Sequence, residues 1–325
     1  MAAAAEQQRR AEFLVEREPF RQNAFLIINE MVAMERQRPN RVLVDEVLHS
    51  IFFLGKINYP PFPPEKILAD DSDLLNTLPD LYPRPFDHYS SQVPRRSPFS
   101  CLLDMVVDLI GGDNEEEIMQ QLLDFIDTLG GKKNKKPLVS RTICVSQSNH
   151  PDSVRYYGAS VSANDPEAQR NLIAASCLSS IWDSYVAGAV MTFYPEPGNL
   201  EFARKPYFDG TIRVPAHVRC QTFNLYNRRF MPPCGSCGEL FGLITNETKG
   251  FPHGNCAEAE SLSNLFRNDA VVRGEVPPPP PPGGNRERAR ASVLQGLTDF
   301  VQSFEGLGEW TDEEGGFYTP QLIRP

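Results

Sequence analysis

The residue types best suited to chemistry gather in one stretch, Pro232 to Phe266, which reads PPCGSCGELFGLITNETKGFPHGNCAEAESLSNLF. Cys234 and Cys237 share a tight turn; His253 follows, and then Cys256 and Glu258. Thiolates and an imidazole at the spacing Cys-x2-Cys-x15-His-x2-Cys form two close pairs across a loop. That pattern can surround a tetrahedral ion of the Zn2+ type. The candidate metal ligands are therefore Cys234, Cys237, Cys256 and His253. If all four bind, the coordination sphere is closed and the metal fastens a loop to a helix start, contributing to folding. If His253 stays out, a fourth place is left for water, as catalytic zinc requires. Glu258 then becomes the candidate catalytic acid/base.

The phrase Gly254-Asn255-Cys256-Ala257-Glu258, together with Pro233-Cys234-Gly235-Ser236-Cys237, resembles the zinc site of the cytidine deaminase superfamily, its bacterial toxin-type members in particular. The resemblance implies that Cys256, Cys234 and Cys237 hold zinc and that Glu258 shuttles protons while a water displaces the amino group of a base. The likeness is partial. Here the Cys-x-x-Cys turn precedes the Cys-Ala-Glu helix, the reverse of the family's order, and no cysteine follows Glu258. It covers at most residues 138–276, and implies a C-terminal domain like half of a deaminase core. The other reading is a noncatalytic, zinc-stabilised interaction or scaffold protein that works through its helical region and proline-rich tail.

The elements that must position these residues follow from periodicity. Residues 1–131 read as an all-helical region. Phe20, Ala24, Ile27, Ile28 and Met31 recur at three- and four-residue steps, and apolar segments over 42–54, 101–110 and 114–129 continue the pattern. A proline-rich connection spans 56–99. The lysine-rich stretch 132–137 is a basic linker. From 138 to 276 the pattern becomes α+β or α/β. Strands are expected over 138–146, 154–162, 211–214, 220–226 and 270–276. One helix is expected from Asp165 to Phe193, and another over 255–266 carrying Cys256 and Glu258. A polyproline linker, 277–290, leads to an amphipathic helix and acidic tail, 291–325. Trp182 and Tyr185 read as core and Glu260 as a surface acid.

The net charge of −10 and pI near 5.1 argue against a protein that coats nucleic acid generally. A nucleobase or nucleic-acid substrate at a local site stays open, as does a polyproline-binding protein partner. The start, MAAAAEQQRR, lacks the apolar core of a secretory signal, and no run of 18 apolar residues exists, so no membrane association is expected. Cys101, Cys144, Cys177 and Cys220 stand singly, which fits free thiols in a reducing compartment. The expected location is intracellular, cytoplasmic or nuclear.

Overall fold

The structure is a computed structural model that describes residues 2–131, 136–150, 152–163, 165–278, 283–304, 310 and 316–321. The expected lysine run over 132–135 and the prolines 279–282 lie outside the described residues, as does most of the acidic tail.

Helices α1 (Ala2–Gln37), α2 (Arg41–Lys56), α6 (Pro98–Ile110) and α7 (Glu115–Thr128) build the N-terminal region. Asn40 caps α2 by accepting the Leu43 N–H, and Gly111, at φ 95°, stops α6. The proline-rich connection between α2 and α6 is largely helical. It folds into α3 (Pro64–Ile67), α4 (Ser72–Leu81) and α5 (Pro83–His88). Pro64 and Pro83 stand in first turns, where no N–H is missed, and Asp71 caps α4 through the N–H groups of Asp73 and Leu74.

Beyond residue 138 lies a four-stranded antiparallel sheet of order β2-β1-β3-β4, with β1 Thr142–Gln147, β2 Tyr156–Ala159, β3 Arg219–Asn224 and β4 Phe230–Met231. The chain is thus mixed α+β with a helical N-terminal region. Three expectations fail here. The helix expected from Asp165 to Phe193 is two, α8 (Pro166–Leu178) and α9 (Ser184–Phe193). Ser180 breaks the run with φ 60°, and Asp183 restarts it by capping the Tyr185 N–H. Residues 211–214 form no strand; Ile212 and Val214 donate instead to the carbonyls of Leu240 and Phe241. Those carbonyls end α10 (Gly235–Phe241), so the segment serves as its cap. Residues 270–276 form no strand: Asp269 caps α12 (Ala270–Gly274) and overrides the β-branched Val271-Val272 pair.

Helix α11 (Ala257–Asn268) lies across β1, β2 and β3. It comes this close because of Gly158: a Cβ there would stand 2.3 Å from the Ser261 nitrogen and 2.7 Å from the Ala257 oxygen. Helix α13 (Asn285–Gln302) folds back onto α8 and α9, burying Val293, Leu297, Phe300 and Val301. One continuous apolar cluster joins α1 to α13. No helix among the described residues is long and apolar enough to cross a membrane.

Candidate metal centre and adjoining pocket

Two helix starts meet at the edge of the sheet. Cys234 is the N-cap of α10, with Cys237 in its first turn, and Cys256 is the N-cap of α11. The loop between the helices is pinned at three points. Gly235 N–H donates to the Lys249 carbonyl at 3.0 Å, Ser236 Oγ to the Phe251 carbonyl at 2.6 Å, and Val161 N–H to the Asn255 carbonyl at 2.9 Å. Gly254 takes φ 88°, and its hydrogen faces Val190 and Ile173, where a Cβ would collide at 2.8 and 2.9 Å. That turn swings Asn255 and Cys256 onto the helix tip.

The three sulfurs converge. Cys234 Sγ lies 3.7 Å from Cys237 Sγ and 3.6 Å from Cys256 Sγ, and all three fall within 4.8 Å of one another. This group could hold a metal ion. Contacts with the sulfurs of Cys237 and Cys256, and with the N–H groups of Cys237 and Phe251, lower the pKa of Cys234 to about 2 and favour its thiolate. The same contacts push Cys237 and Cys256 upward.

His253 does not join them. Its Nε2 meets Glu239 Oε2 at 2.7 Å, and its ring stacks on Phe193 with centroids 4.1 Å apart and planes 2° apart. Its Nδ1 is buried without a hydrogen-bond partner, and neither nitrogen falls inside the sulfur cluster. Burial lowers the histidine's pKa, with Glu239 opposing the shift. The histidine reads as a packed ring that anchors the loop to α9.

Glu258 is 3% exposed and sits one turn-edge inside α11. Residues two apart within a helix point about 200° apart. Cys256 and Glu258 converge nonetheless, because Cys256 has extended geometry at the cap (ψ 152°) and projects off the tip. Burial raises the carboxyl's pKa. Beside it opens a cavity of about 240 Å³ lined by Arg141, Thr142, Thr222, Asn224, Met231, Phe251 and Asn255, and by Cys234, Cys256 and Glu258. Asn255 Oδ1 is buried there with no hydrogen bond completed, and the Thr222 hydroxyl stands beside the Glu258 carboxyl. An orphaned polar atom facing a cavity marks where a polar ligand or water belongs.

Glu260, two residues on, is not the surface acid expected. It is buried against α6 and β2, accepting from Ser100 Oγ at 3.0 Å and Ala159 N–H at 2.8 Å, and burial lifts its pKa to about 7. Trp182 is core, 5% exposed, as expected. Thr222 and Asn224 were invisible in the sequence, since only strand pairing brings β3 beside α11. Asn255 was in plain view next to Cys256, but nothing marked its side chain as turned into a cavity. No protein-family model, curated protein or solved structure matches this chain.

Proposed function

We propose that the chain is a zinc-dependent hydrolytic deaminase acting on a small amino-bearing base or nucleoside. One observation carries the reading: the buried Glu258 carboxyl shares a polar cavity with Cys234 and Cys256 of a three-thiol cluster, and His253 stands outside that cluster. The donor set suits zinc. With Zn–S bonds of about 2.3 Å, a tetrahedron separates neighbouring sulfurs by about 3.8 Å. The 3.6 and 3.7 Å separations here need little adjustment. Three thiolates leave the fourth place that hydrolytic zinc chemistry uses.

Cys234, Cys237 and Cys256 would hold the ion, which supplies Lewis-acid activation of water when bound. The remaining work falls to the chain's own groups. Glu258, shielded from solvent, would accept a proton from water and return it to the departing amino group, so that base-NH2 and water become base=O and ammonia. Asn255 Oδ1 would accept from the base's N–H edge, and the Thr222 hydroxyl would supply a donor or acceptor beside it. Phe251 and Met231 give the cavity apolar surface against which a flat ring can lie. The cavity's volume suits a single base better than a length of strand.

The test is zinc content and ammonia release by the full chain, with free bases, nucleosides and short oligonucleotides as substrates. Glu258→Gln should keep its zinc and lose at least about 100-fold of the release rate. Zinc bound by the three thiolates with no release from any of these substrates would favour the scaffold reading, in which the ion only staples α10 to α11.

A further inference from the structure

On the far end of the sheet a second set of electron-pair donors meets, and it follows from strand register. β1 leaves the sheet at Gln147 opposite Arg219, where β3 enters. The chain just past β1 therefore runs beside the chain just before β3, which places His150 next to His217. Their rings meet edge to face with centroids 5.8 Å apart. The third member comes from elsewhere. Glu275 ends α12, which continues directly from α11, and its Oε2 lies 3.5 Å from His217 Nε2. One donor atom from each of His150, His217 and Glu275 lies within 4.8 Å of the other two.

An ordinary ion pair explains this poorly. At 3.5 Å the imidazole and carboxylate make no hydrogen bond, and His217 Nε2 is buried with no other partner. Among the described residues Glu275 has no ion-pair partner except His217. Three lone-pair donors thus converge, and among the described residues no lysine or arginine pairs with Glu275. With Zn–N and Zn–O bonds of about 2.0–2.2 Å, neighbouring ligands of a tetrahedral ion stand about 3.4 Å apart. The His217–Glu275 separation already matches, and His150, exposed on its loop, is free to close the remainder.

We propose that His150, His217 and Glu275 form a second, thiol-free site for a divalent transition ion. Two imidazoles and one carboxylate suit Zn2+, Co2+ or Ni2+; Mg2+ and Ca2+ demand oxygen ligands. The ion clips α12 to the end of the β1–β3 pair, and its remaining coordination faces solvent. The site stands apart from the three cysteines in ligand chemistry and does not depend on their role.

Co2+ titration of the full, reduced chain tests this directly. Thiolate-bound Co2+ gives an intense near-ultraviolet charge-transfer band, whereas imidazole and carboxylate ligation gives only weak visible absorption. The wild-type chain should bind a Co2+ equivalent that adds no charge-transfer intensity. His217→Ala and Glu275→Gln should each weaken that equivalent by at least about 100-fold while leaving the thiolate band intact. Cys256→Ser should do the converse, losing the thiolate band and keeping the thiol-free equivalent. Glu275 is exposed, so its variant tests the site even if His217→Ala folds poorly. The proposal is overturned if every bound equivalent carries thiolate intensity, or if Glu275→Gln leaves the stoichiometry and affinity unchanged.

Discussion

At the scale of the residue, His253 separates a closed metal site from an open one. Its motif position suggests a ligand, yet the neighbours that decide its role are distant in sequence: Phe193 under its ring and Glu239 at its Nε2. Spacing could place it near the cysteines but could not give its orientation. Two variants follow. His253→Ala should retain full metal content and lose about 1–2 kcal/mol of stability through the vanished stack, read as a lowered urea midpoint. Cys256→Ser, by contrast, should abolish tight binding at the cysteine cluster, because it removes one of that cluster's three ligands. Equal metal loss in both variants would return His253 to the coordination sphere.

Elements explain why these residues meet at all. Helix α11 was legible in the sequence, since Asn255-Cys256-Ala257-Glu258 marks its start and Leu262, Leu265 and Phe266 its buried face. Its partner surface was not. The close approach to β2 depends on Gly158, whose missing side chain has meaning only once the helix is placed over it. Gly158→Ala must lift α11 off the sheet, because backbone atoms of Ala257 and Ser261 occupy the space. The expected cost is at least about 3 kcal/mol, with weakened metal affinity as Cys256 shifts from Cys234. The other face of this contact is ionic. Arg96 meets Glu46, Asp104 and, at 3.9 Å, Glu260, which ties α11 to α2 and α6. Arg96→Met would leave Glu46, 6% exposed, with only Arg95 as partner. A loss of stability of up to about 3–5 kcal/mol, read as a lowered urea midpoint, is expected from removing one of the charge's two partners. The split of the expected 165–193 helix belongs to the same scale. Its small and apolar face, Ala168, Leu172, Ala175, Trp182, Val186 and Ala189, keeps helical spacing across Ser179-Ser180 and Asp183-Ser184, so periodicity ran on, and the left-handed Ser180 and the Asp183 cap record the break.

The whole molecule is closed by a segment that composition marked only as tail. Residues 316–318 pair with Val93 and drive Tyr318 into the helical region, where its ring lies 3.8 Å from His49 and its hydroxyl donates to Asp45. The Tyr318–His49 stack leaves the histidine wholly buried, and burial lowers its pKa from 6.5 to about 3. The sign follows. Between these values the unfolded chain holds a proton that the folded chain refuses, so stability is complete above pH 6.5 and falls as pH drops toward 3. The slope from this one group approaches about 1.4 kcal/mol per pH unit. Glu260 acts in the opposite sense. Its pKa rises from 4.5 to about 7, so its share of stability is complete below 4.5 and is lost as pH climbs through 7. Urea midpoints across pH 4 to 8 separate the two. Glu260→Gln should exceed the wild-type midpoint at pH 8, and that advantage should vanish by pH 4.5, where the native acid already carries its proton. His49→Phe should flatten the acid limb below pH 6.5. If that limb keeps its full slope in His49→Phe, the proton uptake that opens the helical region lies on another group.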